Sequence, residues 1–190
     1  LKLPQEPWAV NEIKVAAAKS LVPYDLTDHY DSNITREEMA VLLENAIVTA
    51  GNYANMDAYM IDNGVGYTTG NFADCIGRDE SIDRLFKLGI ISGRTDVLFE
   101  PDGAVSRQEA AAMITRVADL FMYVGTNYRL NTADSSNVAP WASFYVRWVI
   151  DKGIMSADEN NRFNPDGTVS VQQAITAVSR LFDLITYWES

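Results

Sequence analysis

One cysteine, one histidine and a few acids are the residues of this chain that offer catalytic chemistry, and none is well placed for it. Cys75, in Phe72-Ala73-Asp74-Cys75-Ile76-Gly77, reads as a small buried hydrophobe rather than a nucleophile. His29, in Asp28-His29-Tyr30-Asp31, reads as surface loop. A single histidine removes most histidine-based catalysis. One cysteine beside one histidine excludes a disulfide framework and a zinc finger within the chain. A carboxylate pair drawn from Asp74, Glu109 and Asp134 would suit acid–base hydrolysis, but nothing in the sequence separates their proton affinities. Asp158-x-Asn160-x-Arg162 with Asp166-Gly167 has the outline of a calcium loop. It fails, because Phe163 stands where the turn needs glycine and Val169 where a bidentate acid belongs. No catalytic residue, metal site or cofactor is expected.

What must then be positioned follows from the chain as a whole. Its 190 residues suffice for one domain or two small ones, and 47% hydrophobic with 11% aromatic residues excludes wholesale disorder. No apolar run is long enough to span a bilayer. Fifteen basic against 26 acidic residues give a net charge of −11, a field that repels nucleic acid and anionic lipid. An anionic ligand would need a local basic pocket. Starting at Leu1, without an initiator methionine or a signal peptide, the chain reads as a processed or excised fragment.

Internal similarity is the main signal. The stretch from Gly89 to Gly103 reads against Gly153 to Gly167 at a constant offset of 64 residues, through Phe99-Glu100-Pro101-Asp102-Gly103 and Phe163-Asn164-Pro165-Asp166-Gly167. The register continues from Val105-Ser106-Arg107-Gln108-Glu109 onto Val169-Ser170-Val171-Gln172-Gln173, and Arg116 and Asp119 fall on Arg180 and Asp183. A third copy upstream carries Trp8-Ala9, aligned with Trp141-Ala142, and Ile34-Thr35-Arg36-Glu37-Glu38; its central loop is shorter. The repeats are 8–50, 72–122 and 132–186 of one 1–190 module.

Each repeat reads as helix, loop, helix. Thr35-x-x-Glu38, Ser106-x-x-Glu109 and Ser170-x-x-Gln173 predict capping boxes, and apolar residues follow each at helical spacing. Gly89 and Gly153 stand where a first helix would end, and the glycine of each Pro-Asp-Gly turn is free to take positive φ. No sustained alternation suggests a large sheet. The fold class is all-α. Residues 48–71 read as a connector with a short helix near Ala54–Ile61, and 123–139 as a surface loop.

The pattern resembles the S-layer homology (SLH) triplet. Phe72-Ala73-Asp74, Gly89-Ile90-Ile91-Ser92-Gly93, Phe99-x-Pro101-x-Gly103 and Ser106-Arg107-Gln108-Glu109 carry it in repeat two. Thr132-Ala133-Asp134, Trp141, Gly153-Ile154 and Phe163-x-Pro165-x-Gly167 carry it in repeat three, and Trp8 with Thr35-Arg36-Glu37-Glu38 in repeat one. The resemblance implies three SLH repeats in a pseudo-threefold spindle around a central helical bundle. It implies a non-catalytic anchor on the bacterial cell surface that binds a secondary cell-wall polysaccharide attached to peptidoglycan, bearing a pyruvylated amino sugar. It does not imply nucleic acid or membrane insertion. Carried over, Arg36 and Arg107 face the pyruvate carboxylate, beside Thr35, Ser106 and Gly93, while Trp8 and Trp141 stack on sugars.

An arginine one residue after an N-cap lies where orphan N–H groups and the helix dipole favour an anion, and its fork grips a carboxylate. The plainer alternatives are solvated or acid-paired arginines, and tryptophans (Trp8, Trp141, Trp148) that anchor the core. Val171 replaces the arginine in repeat three, and repeat one lacks the Gly-Ile and Phe-x-Pro elements. Two rivals remain: a structural module that has lost glycan binding and contacts other surface proteins, and an enzyme acting on wall polymer through the acids above.

Overall fold

The computed structural model describes residues 2–4, 6–78 and 80–187; Leu1, Gln5, Asp79 and residues 188–190, which the 1–190 span includes, lie outside the described residues. Among the described residues seven helices follow one another: α1 (Pro7–Ala18), α2 (Arg36–Ala50), α3 (Met56–Asp62), α4 (Ser81–Lys87), α5 (Arg107–Ala118), α6 (Ser143–Asp151) and α7 (Val171–Tyr187). Among the described residues there is no β-strand, as the all-α reading requires, and no helix long and apolar enough to cross a membrane.

The three predicted capping boxes form. Thr35 and Ser106 accept from the backbone N–H of Glu38 and Glu109 while donating their own N–H to those carboxylates. Ser170 and Gln173 repeat the exchange with an amide. Started in this way, α2, α5 and α7 meet one another at the centre of the molecule. They bury the predicted stripes, among them Met39, Leu43 and Ile47, then Ile114 and Val117, then Ile175, Val178 and Leu181.

The outer helices pack out of step with the repeats. Helix α4 of repeat two lies on α2 of repeat one, α6 of repeat three lies on α5 of repeat two, and α1 of repeat one lies on α7 of repeat three. Backbone bonds between the loops have the same order. Ile34 N–H donates to Val169 (2.9 Å), Val169 to Val105 (3.0 Å) and Val105 back to Ile34 (3.2 Å), closing a ring of buried residues. The first helical N–H of α2, α5 and α7 donates to Gly103, Gly167 and Ser32 respectively. Orphan donors of one repeat are thus satisfied by the loop of the next.

Several local expectations need correction. Gly89 and Gly153 take φ of 73° and 66° as predicted, and Ser20 holds the corresponding place in repeat one at 60°. In the Pro-Asp-Gly turns, however, positive φ falls on Glu100 and Asn164, the residues before proline, and not on the glycines. Gly103 and Gly167 serve close approach instead: a Cβ there would lie 3.1 Å and 3.2 Å from the carbonyls of Glu100 and Asn164. Helix α3 appears within the first connector and buries Met56, Tyr59 and Met60. The second connector is more than surface loop, since Thr132, Asp134 and Val138 are buried and Tyr128 packs on Phe144.

Candidate functional site

Both arginines of the predicted site are reached through an acid and an aromatic. The Asp74 carboxylate accepts the N–H of Phe99 (2.9 Å) and of Glu100 (2.7 Å). Asp134 does the same for Phe163 (2.9 Å) and Asn164 (2.7 Å). These bonds turn the Phe99 and Phe163 carbonyls towards the start of the neighbouring repeat's helix. There Arg36 Nε donates to Phe99 (2.8 Å) and Nη2 to Ser92 (2.7 Å), and Arg107 donates likewise to Phe163 (2.6 Å) and Ser156 (2.7 Å). Each guanidinium also lies over the phenylalanine ring, at 4.3 Å and 4.7 Å. The acids of Phe72-Ala73-Asp74 and Thr132-Ala133-Asp134, the Phe-x-Pro turns and the arginines therefore form two chains of contacts, each spanning two repeats.

Among the hollows that adjoin these arginines in the described residues, two correspond and are named grooves one and two. Groove one, about 310 Å3, is lined by Arg36, Gly93, Arg94, Glu109, Arg116 and Trp141. Groove two, about 180 Å3, is lined by Arg107, Gln173, Thr176, Arg180 and Trp8. The linings correspond through the repeat, and each groove takes its tryptophan from a different repeat than its arginine. Trp8 and Trp141 are 47% and 53% exposed, so neither is a core anchor; Trp148, at 0%, is one.

The electrostatics of the two grooves differ. Arg36 is 2% exposed, and its Nη1 lies 3.5 Å from the Glu109 carboxylate, which Arg94 also grips. Burial acts to raise the Glu109 pKa, but the Ser106 N–H and Arg94 outweigh it and hold the group below its ordinary value. Arg107 is less buried, and Gln173 stands in the place of Glu109. Burial lowers the pKa of both arginines. Arg116 is held by the Ile90 carbonyl (3.1 Å) and lies over Tyr145, whereas Arg180 pairs with Glu12 (3.0 Å).

At the third inter-repeat position Val171 is fully buried, and Asn45, in the register of Arg116, donates to the Ser20 carbonyl. His29 is not free surface loop. Its Nε2 meets Glu38 at 2.9 Å and its Nδ1 meets Asp28 at 2.6 Å. A histidine there takes the place that Arg94 holds beside Glu109.

Of the residues predicted from sequence, Arg36, Gly93 and Trp141 meet in groove one, and Arg107 and Trp8 in groove two. Thr35 and Ser106 use their hydroxyls as helix caps and line neither groove. Gly93 provides room, since a Cβ would lie 2.5 Å from Phe72 and 2.3 Å from the Thr95 carbonyl. Sequence reasoning missed Arg94, Arg116 and Arg180 as groove residues, although the shared register of the last two was its signal. Hydrogen bonds from the Phe99 and Glu100 N–H groups depress the Asp74 pKa. For Asp134, burial pulls upward but the Phe163 and Asn164 N–H groups prevail, leaving it lowered too. Burial drives the Cys75 thiol up to about 12, so it stays protonated at neutral pH.

Comparison with known proteins finds relatives of repeats two and three above all. The family model of the S-layer homology domain matches residues 77–111 and 131–175. The chain is 23% identical over 184 residues to an amylopullulanase of Thermoanaerobacterium thermosulfurigenes, covering 94% of this chain and 9% of that protein. It is 29% identical over 89 residues to S-layer protein EA1 of Bacillus anthracis, covering 47% of this chain and 10% of that protein. A Bacillus licheniformis S-layer protein is also 29% identical, over 91 residues covering 48% of this chain and 10% of that protein. The chain thus spans about a tenth of the length of these relatives. The SLH domain is a cell-wall anchoring module of bacterial surface proteins, and residues 77–111 and 131–175 of this chain match it.

Proposed function

We propose that the chain is a non-catalytic anchor whose grooves one and two hold an anionic, pyruvylated secondary polysaccharide attached to peptidoglycan. The observation that carries this reading is the convergence, twice over, of an arginine cluster and a half-exposed tryptophan from different repeats. An indole face of that kind stacks on a sugar, while guanidinium groups in a partly desolvated groove grip a carboxylate. Two grooves engaging one polymer would add avidity. The depressed carboxyls of Asp74 and Asp134, each occupied by two backbone N–H groups, support the non-catalytic part of the proposal, since neither is kept as a proton donor.

A second reading has one observation in its favour. Arg36 is sealed from solvent and spends two nitrogens on carbonyls, which suits a structural module that contacts other surface proteins. Co-sedimentation with peptidoglycan sacculi, before and after acid extraction of the secondary polymer, separates the two. The anchor pellets only with unextracted sacculi, and Trp8→Ala/Trp141→Ala loses most of the pelleting while staying folded. A folded chain that fails to pellet with intact sacculi and binds a protein partner would establish the second reading.

A further inference from the structure

Resting on the reading of the grooves as glycan sites, we propose that they are unequal in length: groove two takes two consecutive sugar residues, and groove one takes one. Beside groove two lies a basin of about 370 Å3, and Arg107, Ser156 and Gln173 line both. The guanidinium therefore stands between the two hollows, which we read as one trough with these three residues as its shared wall. Trp8 walls one half; Asp158, Arg162 and Asn164 of the third repeat's loop wall the other. Alone, the Trp8 half, about 180 Å3, is smaller than the ~300 Å3 typical of small-molecule sites. Joined to the basin it exceeds that size.

In groove one the same trough is closed off. At the position of Asp158 stands Arg94, and at that of Gln173 stands Glu109; the two form an ion pair across the outer half. Arg94 also lies 3.5 Å from Glu100 at the edge. An acid and an amide cannot form that ionic bridge, so groove two stays open where groove one is crossed. The basin offers the Asp158 carboxylate, the Arg162 guanidinium and the Asn164 amide, donors and acceptors suited to the hydroxyl and acetamido groups of a neutral sugar. The ligand of groove two is then a disaccharide unit whose carboxylate sits at Arg107 and whose second ring lies under the third repeat's loop.

The test measures calorimetric affinity for two probes: a pyruvylated N-acetylhexosamine methyl glycoside, and the disaccharide that extends it by one N-acetylhexosamine. In the Trp141→Ala background, which leaves groove two intact, the disaccharide binds about tenfold tighter, the gain of one or two net hydrogen bonds. Ala157→Tyr, which fills the basin from a half-buried position, abolishes that gain while leaving the monosaccharide affinity unchanged. In the Trp8→Ala background the probes bind groove one alike, and Arg94→Ala, which opens the outer half, creates a preference for the disaccharide. Equal affinities at groove two, or a gain that survives Ala157→Tyr, would overturn the inference and leave the glycan reading standing. Failure of both probes and of unextracted sacculi to bind the folded wild type would overturn the glycan reading itself.

Discussion

The guanidinium of Arg36 lies 4.3 Å over the Phe99 ring and donates its Nε to the carbonyl of that same residue. Side chain and backbone of one aromatic are thus both engaged by an arginine from the preceding repeat. Removing Arg36 leaves the Phe99 and Ser92 carbonyls without their donors. Arg36→Ala should cost about 3 kcal/mol, since each buried polar group left unpaired costs roughly 1–3 kcal/mol. Arg107→Ala, at a more exposed position, should cost less. Denaturant unfolding of both variants measures the difference, and equal losses would refute the ranking. Binding experiments on these variants are interpretable only beside that measurement.

Arg78 reaches both Glu37 (2.6 Å) and Asp102 (2.5 Å). The corresponding pairs of the other repeats are an amide with an acid: Gln108 donates to Asp166 (2.7 Å) and Gln172 to Asp31 (3.0 Å). Only the first interface sets two acids together, and Arg78 bridges them. Arg78→Ala should lower the unfolding temperature, and adding Glu37→Gln should restore it by supplying the amide found elsewhere. A double mutant as unstable as the single would show that like-charge repulsion is not what Arg78 relieves.

Restoring the family arginine in repeat three should not create a third groove. Val171 is fully buried, and the loop facing it lacks the Phe-x-Pro turn whose carbonyl receives the arginines elsewhere. Val171→Arg would bury a charge without acceptors, a loss of several kcal/mol or local unfolding. Thermal unfolding checks this; a variant as stable as wild type would contradict it.

His29 gives the first repeat a pH response. Its hydrogen bond to Asp28 raises its pKa above 6.5, burial opposes this, and Glu38 adds to the rise. A raised folded-state value means that the stabilisation is complete below 6.5 and is lost as pH climbs through the folded value. Stability measured across that interval should fall towards alkaline pH, and His29→Gln should flatten the slope. An unchanged slope in His29→Gln would assign the response to another group.

Local rules carried the reading as far as local rules reach. Capping boxes at Thr35, Ser106 and Ser170 and the left-handed Gly89 and Gly153 were legible because hydroxyl caps and missing Cβ atoms act within one turn. The displaced packing of α4, α6 and α1 was not, since an apolar stripe does not name the helix that will cover it. Nor was the fate of Arg36, whose acceptors lie 63 and 56 residues away on turns pinned by backbone bonds. The core alternative for Trp8 and Trp141 failed for a related reason: residue type and spacing mark an indole as core until the neighbouring repeat is seen to leave a groove beside it.

The ring through Ile34, Val169 and Val105 has a thermodynamic consequence. A linear stack of repeats has two ends, needs caps there, and melts approximately as a sum of neighbouring pairs. A closed ring has no ends: every repeat is flanked on both sides, and losing any one exposes two interfaces at once. Fraying from a terminus then has no favourable first step, and partly folded forms should be scarce. Such an anchor would release what it holds in a single all-or-none event rather than loosening by degrees.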